Sequence, residues 1–139
     1  MPIKFSIQTG GKGLHEITRE VSEAVSSLTR GDGLCTVFIQ HTSASLTIQE
    51  NADRSARDDL ESWLDRIAPE DDPAYTHTSE GSDDMPSHIR SMITDVSLSI
   101  PVCAGSLMLG TWQGIYLCEH RRSPHNRQLI VVVTPAMES

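Results

Sequence analysis

The sequence predicts an α+β fold: one compact domain of packed, largely antiparallel β-sheets with two to three helices. Three observations predict it. Two stretches carry apolar residues at helical spacing, at least five stretches carry strand-type residues, and the order of these elements does not alternate βαβα,. The 139 residues suit a single domain, taken as 1–139, with enough chain to bury one core,.

Residues 3–8 alternate apolar and polar and predict an edge strand,. Gly10, Gly11 and Gly13 predict a turn. From Leu14 onward, Leu14, Ile17, Val21, Val25 and Leu28 recur at spacings of three and four, which predicts an amphipathic helix stopped by Gly31-Asp32-Gly33,. Leu34 to Gln40 is rich in strand formers, and His41 to Gln49 continues it by alternation,. Asn51 or Asp53 caps a second helix with the stripe Ala56, Leu60, Trp63, Leu64 and Ile67,. Residues 69–84 are an acidic loop, of a length that is usually functional or disordered,. Asp84-Met85-Pro86 then reads as an N-cap followed by a first-turn proline, opening a short helix to about Met92,. Residues 97–102, 107–120 and 128–134 predict three successive strands,.

In the 107–120 strand both faces carry large apolar residues. Trp112, Tyr116 and His120 share one side, and Glu119 and Arg121 the other,. Both sides are therefore expected to be covered, by a second sheet or by a partner subunit. Its end, around His120, is expected at a subunit boundary.

Charge narrows the partners. The net charge is −8, and twelve acidic residues against three arginines fall between Glu50 and Asp84. Nucleic acid and anionic membranes, which need a basic face, are not expected partners. Arg121, Arg122 and Arg127 leave room for a local cationic pocket. The N-terminus has no apolar signal region and no apolar run is long enough to span a membrane, so the expected location is the cytoplasm,. Cys35, Cys103 and Cys118 form no CxxC pair and are expected to be reduced and packed,.

Six histidines are present: His15, His41, His77, His88, His120 and His125. His41, His88 and His120 come from separate elements and could meet around zinc or another divalent ion, although no HxH or HxxxH spacing demands it. The same residues also read as ordinary packed or surface histidines. Glu119-His120-Arg121 offers an acid/base, a ligand and an anion clamp in sequence. No GxSxG, Walker A or GxGxxG motif is present, so Ser43 and its neighbours do not point to a serine hydrolase,.

Four segments together resemble the YjbQ-like family. They are His41-Thr42-Ser43-Ala44-Ser45-Leu46-Thr47, Glu80 to Ile89, Ile100-Pro101-Val102, and Leu109 to Ile115 with Glu119-His120-Arg121. The resemblance runs over nearly the whole chain and implies secondary thiamine-phosphate synthase activity: joining a pyrimidine pyrophosphate to a thiazole phosphate with release of pyrophosphate. It also implies a homotrimer, with a pocket near the subunit interface where metal or anions bind. His41, Ser43, Asp84, His88, Glu119, His120 and Arg121 stand inside the matching motifs, whereas His15, His77 and His125 carry less weight. On this reading Glu119 and Asp84 are catalytic or hold magnesium, and Ser43, Arg121, Arg90 and Trp112 bind substrate. His41, His88 and His120 bind a divalent metal, zinc or magnesium. Two other readings use the same pocket: a metal-dependent enzyme on another small phosphorylated metabolite, and a non-catalytic binding protein for metal or phosphate ligands.

Overall fold

A computed structural model describes residues 1–137 of the chain, so the last two positions of the expected 1–139 domain lie outside the described residues. Eight strands and three helices form one α+β unit around two antiparallel sheets. The larger sheet orders β1 (Ile3–Thr9), β8 (His125–Pro135), β3 (Gly33–Ile39), β5 (Ser97–Cys103) and β6 (Ser106–Leu107). The smaller sheet places β7 (Gln113–Glu119) between β2 (Gly13–Glu16) and β4 (Ala44–Glu50). As expected, β1 is an edge strand.

The core lies between the sheets. Cys35, Val37 and Ile39 of β3, Leu98, Ile100 and Val102 of β5, and Leu129 and Val131 of β8 face Ala44, Leu46, Ile115 and Leu117 of the smaller sheet. Helix α1 (Thr18–Leu28) adds Val21, Ala24 and Val25. The opposite side of β7 buries Tyr116 and Cys118 with Leu14 and Leu60 of helix α2 (Arg54–Ile67). Both sides of β7 are therefore covered within one chain, one by the larger sheet and one by a helix. Burial pushes the thiols of Cys35 and Cys118 up, to about 11 and about 12, which leaves them as packing groups rather than nucleophiles,.

Several boundaries differ from the sequence expectation. Leu14 belongs to β2, and the first helix begins only at Thr18, so the spacing of Leu14 and Ile17 is helix-like by coincidence. The 34–49 stretch is two strands in different sheets, divided at residues 40–43. The 107–120 stretch is likewise broken. β6 ends at Leu107, Gly110 accepts no side chain without crowding Gln113, and β7 begins at Gln113. Trp112 sits in the intervening turn, 65% exposed, and so does not share a strand face with Tyr116 and His120. Asp53 does cap α2, accepting from the Ser55 N–H at 2.9 Å. Helix α3 (Asp84–Ile93) begins one residue earlier than expected: Asp84 is its first residue, not its cap, which frees that carboxylate for other partners.

Candidate functional site

The acidic loop before α3 is fixed by the chain that leaves β7. Arg121 Nη1 donates to Asp84 Oδ1 at 2.8 Å, and its Nη2 donates to the Glu80 carbonyl at 2.9 Å. Arg122 donates its backbone N–H to Asp83 Oδ2 at 2.8 Å and pairs with Glu70 at 3.0 Å. These contacts order a segment that its composition alone would leave solvated. Both terminal nitrogens of Arg121 are thereby committed to this loop.

This arrangement brings His77 to α3. His77 Nε2 lies 2.7 Å from Asp84 Oδ2, and His88 Nε2 lies 3.2 Å from the same oxygen. Among the described residues, His77, Asp84 and His88 form the one group of three whose ligand atoms all lie within 4.8 Å of one another. Asp84 is buried while the two imidazoles are partly exposed. Burial alone would push the Asp84 carboxyl up, but the hydrogen bond with His77 and the Arg121 charge outweigh it and hold it below the usual range,.

His88 has a defined tautomer. Its Nδ1 lies 3.0 Å from the Thr42 carbonyl, and a carbonyl can only accept, so Nδ1 carries a proton,. In the neutral ring, Nε2 then has a bare lone pair aimed at a carboxylate oxygen. Two acceptors face each other there unless the ring is protonated or a cation lies between them. A backbone carbonyl on one ring nitrogen and a free lone pair on the other is how metal-ligating histidines are commonly oriented.

Within one chain the structure does not assemble His41, His88 and His120 as a single ligand set. His41 Nε2 accepts the Gln128 N–H at 2.8 Å, and its Nδ1 faces the Arg127 guanidinium at 3.4 Å. Burial and the neighbouring Arg127 charge lower its pKa. His120 is buried within its own chain, with Nε2 2.8 Å from Ser45 Oγ, and therefore needs no subunit boundary to cover it. Glu119 is also committed. Its Oε1 accepts from Thr9 Oγ1 at 2.6 Å and Arg127 Nε at 2.8 Å, and its Oε2 accepts from Arg127 Nη2 at 2.5 Å and the Arg121 N–H at 3.2 Å. Burial pushes that carboxyl up, but these donors win and keep it ionised at low pH,. Arg90 is buried in α3 and binds the Leu64 and Ala68 carbonyls. Ser43 gives its carbonyl to Arg127 and lines an open groove with His41 and Phe38. Trp112 is exposed in the turn that precedes β7.

Two residues that carried little weight in the sequence, His77 and Arg127, are central to these clusters. His77 lies in a loop without periodicity. Arg127 occupies an inward position of β8 in register with Leu129 and Val131, and that parity is the signal that could have singled it out.

A family model described as UPF0047 protein YjbQ-like matches residues 3–136. The chain belongs to this family. A UPF0047 protein of Synechocystis is 50% identical to the YjbQ-like chain over 128 residues, covering 92% of it and 87% of the relative. The UPF0047 protein YjbQ of Salmonella typhimurium is 46% identical, covering 88% of each. Among solved structures, a YjbQ/UPF0047 family protein of Clostridium acetobutylicum superposes with a TM-score of 0.86 at 35% identity, covering 95% of the YjbQ-like chain and 99% of the other. The conserved hypothetical protein TT1486 of Thermus thermophilus does so with 0.85 at 33% identity, again covering 95% and 99%.

Proposed function

We propose that this YjbQ-like protein is a metal-dependent enzyme acting on small phosphorylated metabolites. The reaction implied by the family resemblance, thiamine-phosphate synthesis, is its first candidate. The observation that carries the proposal is the convergence of two imidazole nitrogens on one ionised carboxylate, with His88 held by the Thr42 carbonyl in a ligand-ready tautomer. The residues present fit a divalent cation, and two nitrogen donors favour zinc over magnesium, which prefers oxygen. Held by His77, Asp84 and His88, such an ion would supply Lewis acidity to a phosphate oxygen at its open positions.

The chain's own residues set up that chemistry. Arg121 fixes the loop that carries His77 and keeps Asp84 ionised. Thr42 orients His88. Both histidines are exposed enough for a substrate to reach them. Glu119, clamped by Arg127, serves the fold rather than proton transfer, so the acid/base role first expected of it is not part of this mechanism.

Pyrophosphate release from the pyrimidine pyrophosphate and thiazole phosphate tests the reading directly. Chelated protein should be inactive, zinc should restore turnover, and His88→Ala should abolish the restoration. Absence of turnover in zinc-loaded protein, with these substrates and with a panel of phosphorylated metabolites, would leave a binding protein instead.

Self-association is part of the proposal. The outward side of β3 exposes Leu34 and Phe38, at 42% and 40%, and Val96 and Met108 are also exposed. Such apolar surface supports the homotrimer that the resemblance implies. Light scattering should give three times the 15.3 kDa chain mass. The cytoplasm is the expected location, supported by three cysteines that stand free,. No helix is long and apolar enough to cross a membrane.

A further inference from the structure

A small cavity lies apart from the His77–Asp84–His88 group. Its volume is about 60 Å³, and its polar walls are Lys12, Glu61, Asp65, Arg90, His120 and Glu119, the last with its charge paired by Arg127. That is room for about four waters, or for one compact tetrahedral ion. Nothing in the proposed metal chemistry uses it.

Its polar groups are unusually specified. Arg90 is 2% exposed, and its Nε and Nη2 are satisfied by the Leu64 and Ala68 carbonyls. Its Nη1 is buried and has no acceptor among the described residues. A buried guanidinium N–H without a partner is costly, so it points to an acceptor supplied by something else. Lys12 pairs with Asp65 at 2.8 Å, and Arg90 Nη2 lies 3.4 Å from the same oxygen. Lys12 has three donors, so one such pair leaves it free to bind a second acceptor. Glu61 is engaged by the Leu14 N–H at 3.0 Å.

His120, which also lines the cavity, offers an acceptor. Thr94 Oγ1 donates to the Arg90 carbonyl at 2.7 Å, which uses its only proton,. Ser45 must therefore donate to Thr94, and so it accepts from His120 Nε2–H. The neutral His120 ring, with its proton on Nε2, thus keeps Nδ1 as a bare lone pair,. Burial, with Arg90 and Lys12 nearby, keeps the ring neutral by pulling its pKa down to about 3.

We infer that this cavity binds a protonated tetrahedral oxyanion, either hydrogen phosphate or the phosphate terminus of a small monoester. Its oxygens accept from Arg90 and Lys12, and its P–OH donates to His120 Nδ1. The inference stands independently of the metal reading, because none of these residues belongs to the His77–Asp84–His88 group. Sulfate has the same shape but no proton at neutral pH, so it would set an oxygen lone pair against the Nδ1 lone pair.

The test is calorimetric titration of chelated, full-length protein with inorganic phosphate, methyl phosphate and sulfate. Phosphate should bind about tenfold or more tightly than sulfate, the cost of one mismatched buried hydrogen bond. Lys12→Met, at a partly exposed position, should weaken phosphate by a similar factor. Ser45→Ala removes the group that fixes the His120 tautomer, and it should bring phosphate and sulfate close to equal affinity. Methyl phosphate binding as well as inorganic phosphate marks a monoester terminus; binding of inorganic phosphate alone marks the free ion. Equal binding of sulfate and phosphate by the unaltered chain overturns the inference, as does no binding of either or an unchanged Lys12→Met.

Discussion

Glu119→Gln should destabilise the protein severely, although it is the mildest change available at that position. The structure gives the reason atom by atom. Glu119 Oε1 faces Thr9 and Arg127 Nε, and Oε2 faces Arg127 Nη2 and the Arg121 N–H. An amide must place its NH2 at one of these two positions, and either choice sets a donor against an Arg127 donor. Arg127 is itself only 3% exposed, so its charge loses its counter-ion inside the core. Breaking one side of a buried pair typically costs about 3–5 kcal/mol. A domain of this class has about 5–15 kcal/mol in total, so this is a large fraction. In a chain of this size that corresponds to a fall in melting temperature of roughly 10 °C or more. Urea unfolding of the two proteins at pH 7 gives the difference directly. The pH dependence has a fixed sign. The folded carboxyl titrates below its unfolded value, so its stabilisation is present above about pH 4.3 and is lost as pH falls through the folded pKa,. The gap between the two proteins should therefore narrow in acid. A loss below about 1 kcal/mol at pH 7 would refute the buried-pair reasoning, because that is the range of an exposed pair.

Two further substitutions probe the frame that holds the site. Gly33→Ala should cost about 1–3 kcal/mol in thermal or urea unfolding, since an added Cβ would lie 2.4 Å from the Thr134 carbonyl oxygen across the β3–β8 pairing,. Asp53→Ala should cost about 1 kcal/mol, measured the same way, by removing the carboxylate that caps α2,. Asp53→Asn, which keeps an acceptor, should recover most of that loss.

The parts of the fold legible in the sequence were those where local pattern and tertiary burial agree. Val21 and Val25 are buried on α1 as their spacing requires, and Leu98, Ile100 and Val102 alternate on β5 with inward burial. The failures share one cause: strand ends that local pattern cannot distinguish from their continuation. Leu14 and Ile17 keep helical spacing across a strand-to-helix junction, because β2 is held by β7 and not by its own sequence. The break between β3 and β4 comes from a change of sheet, which alternation carries straight through. The site was half legible. Asp84 and His88 stand four apart on one helix face, so they meet by local geometry. His77 joins them only because Arg121 and Arg122, some forty residues later, pin the acidic loop. Glu119, His120 and Arg121, adjacent in sequence, diverge into a buried ion pair, a cavity wall and a loop anchor.

Titration of chelated protein with cobalt, followed by its visible absorption, tests the proposed metal site most directly. One ion should bind per chain, with a ligand-field spectrum of mixed nitrogen and oxygen donors. His77→Ala, Asp84→Asn and His88→Ala should each weaken binding by about 100-fold or more, beyond the 10–100-fold typical of losing an outer-shell partner. His41→Ala should leave the affinity unchanged. No spectral change, or equal binding by His88→Ala, would rule out the metal site and leave His77 and His88 as charge partners of Asp84.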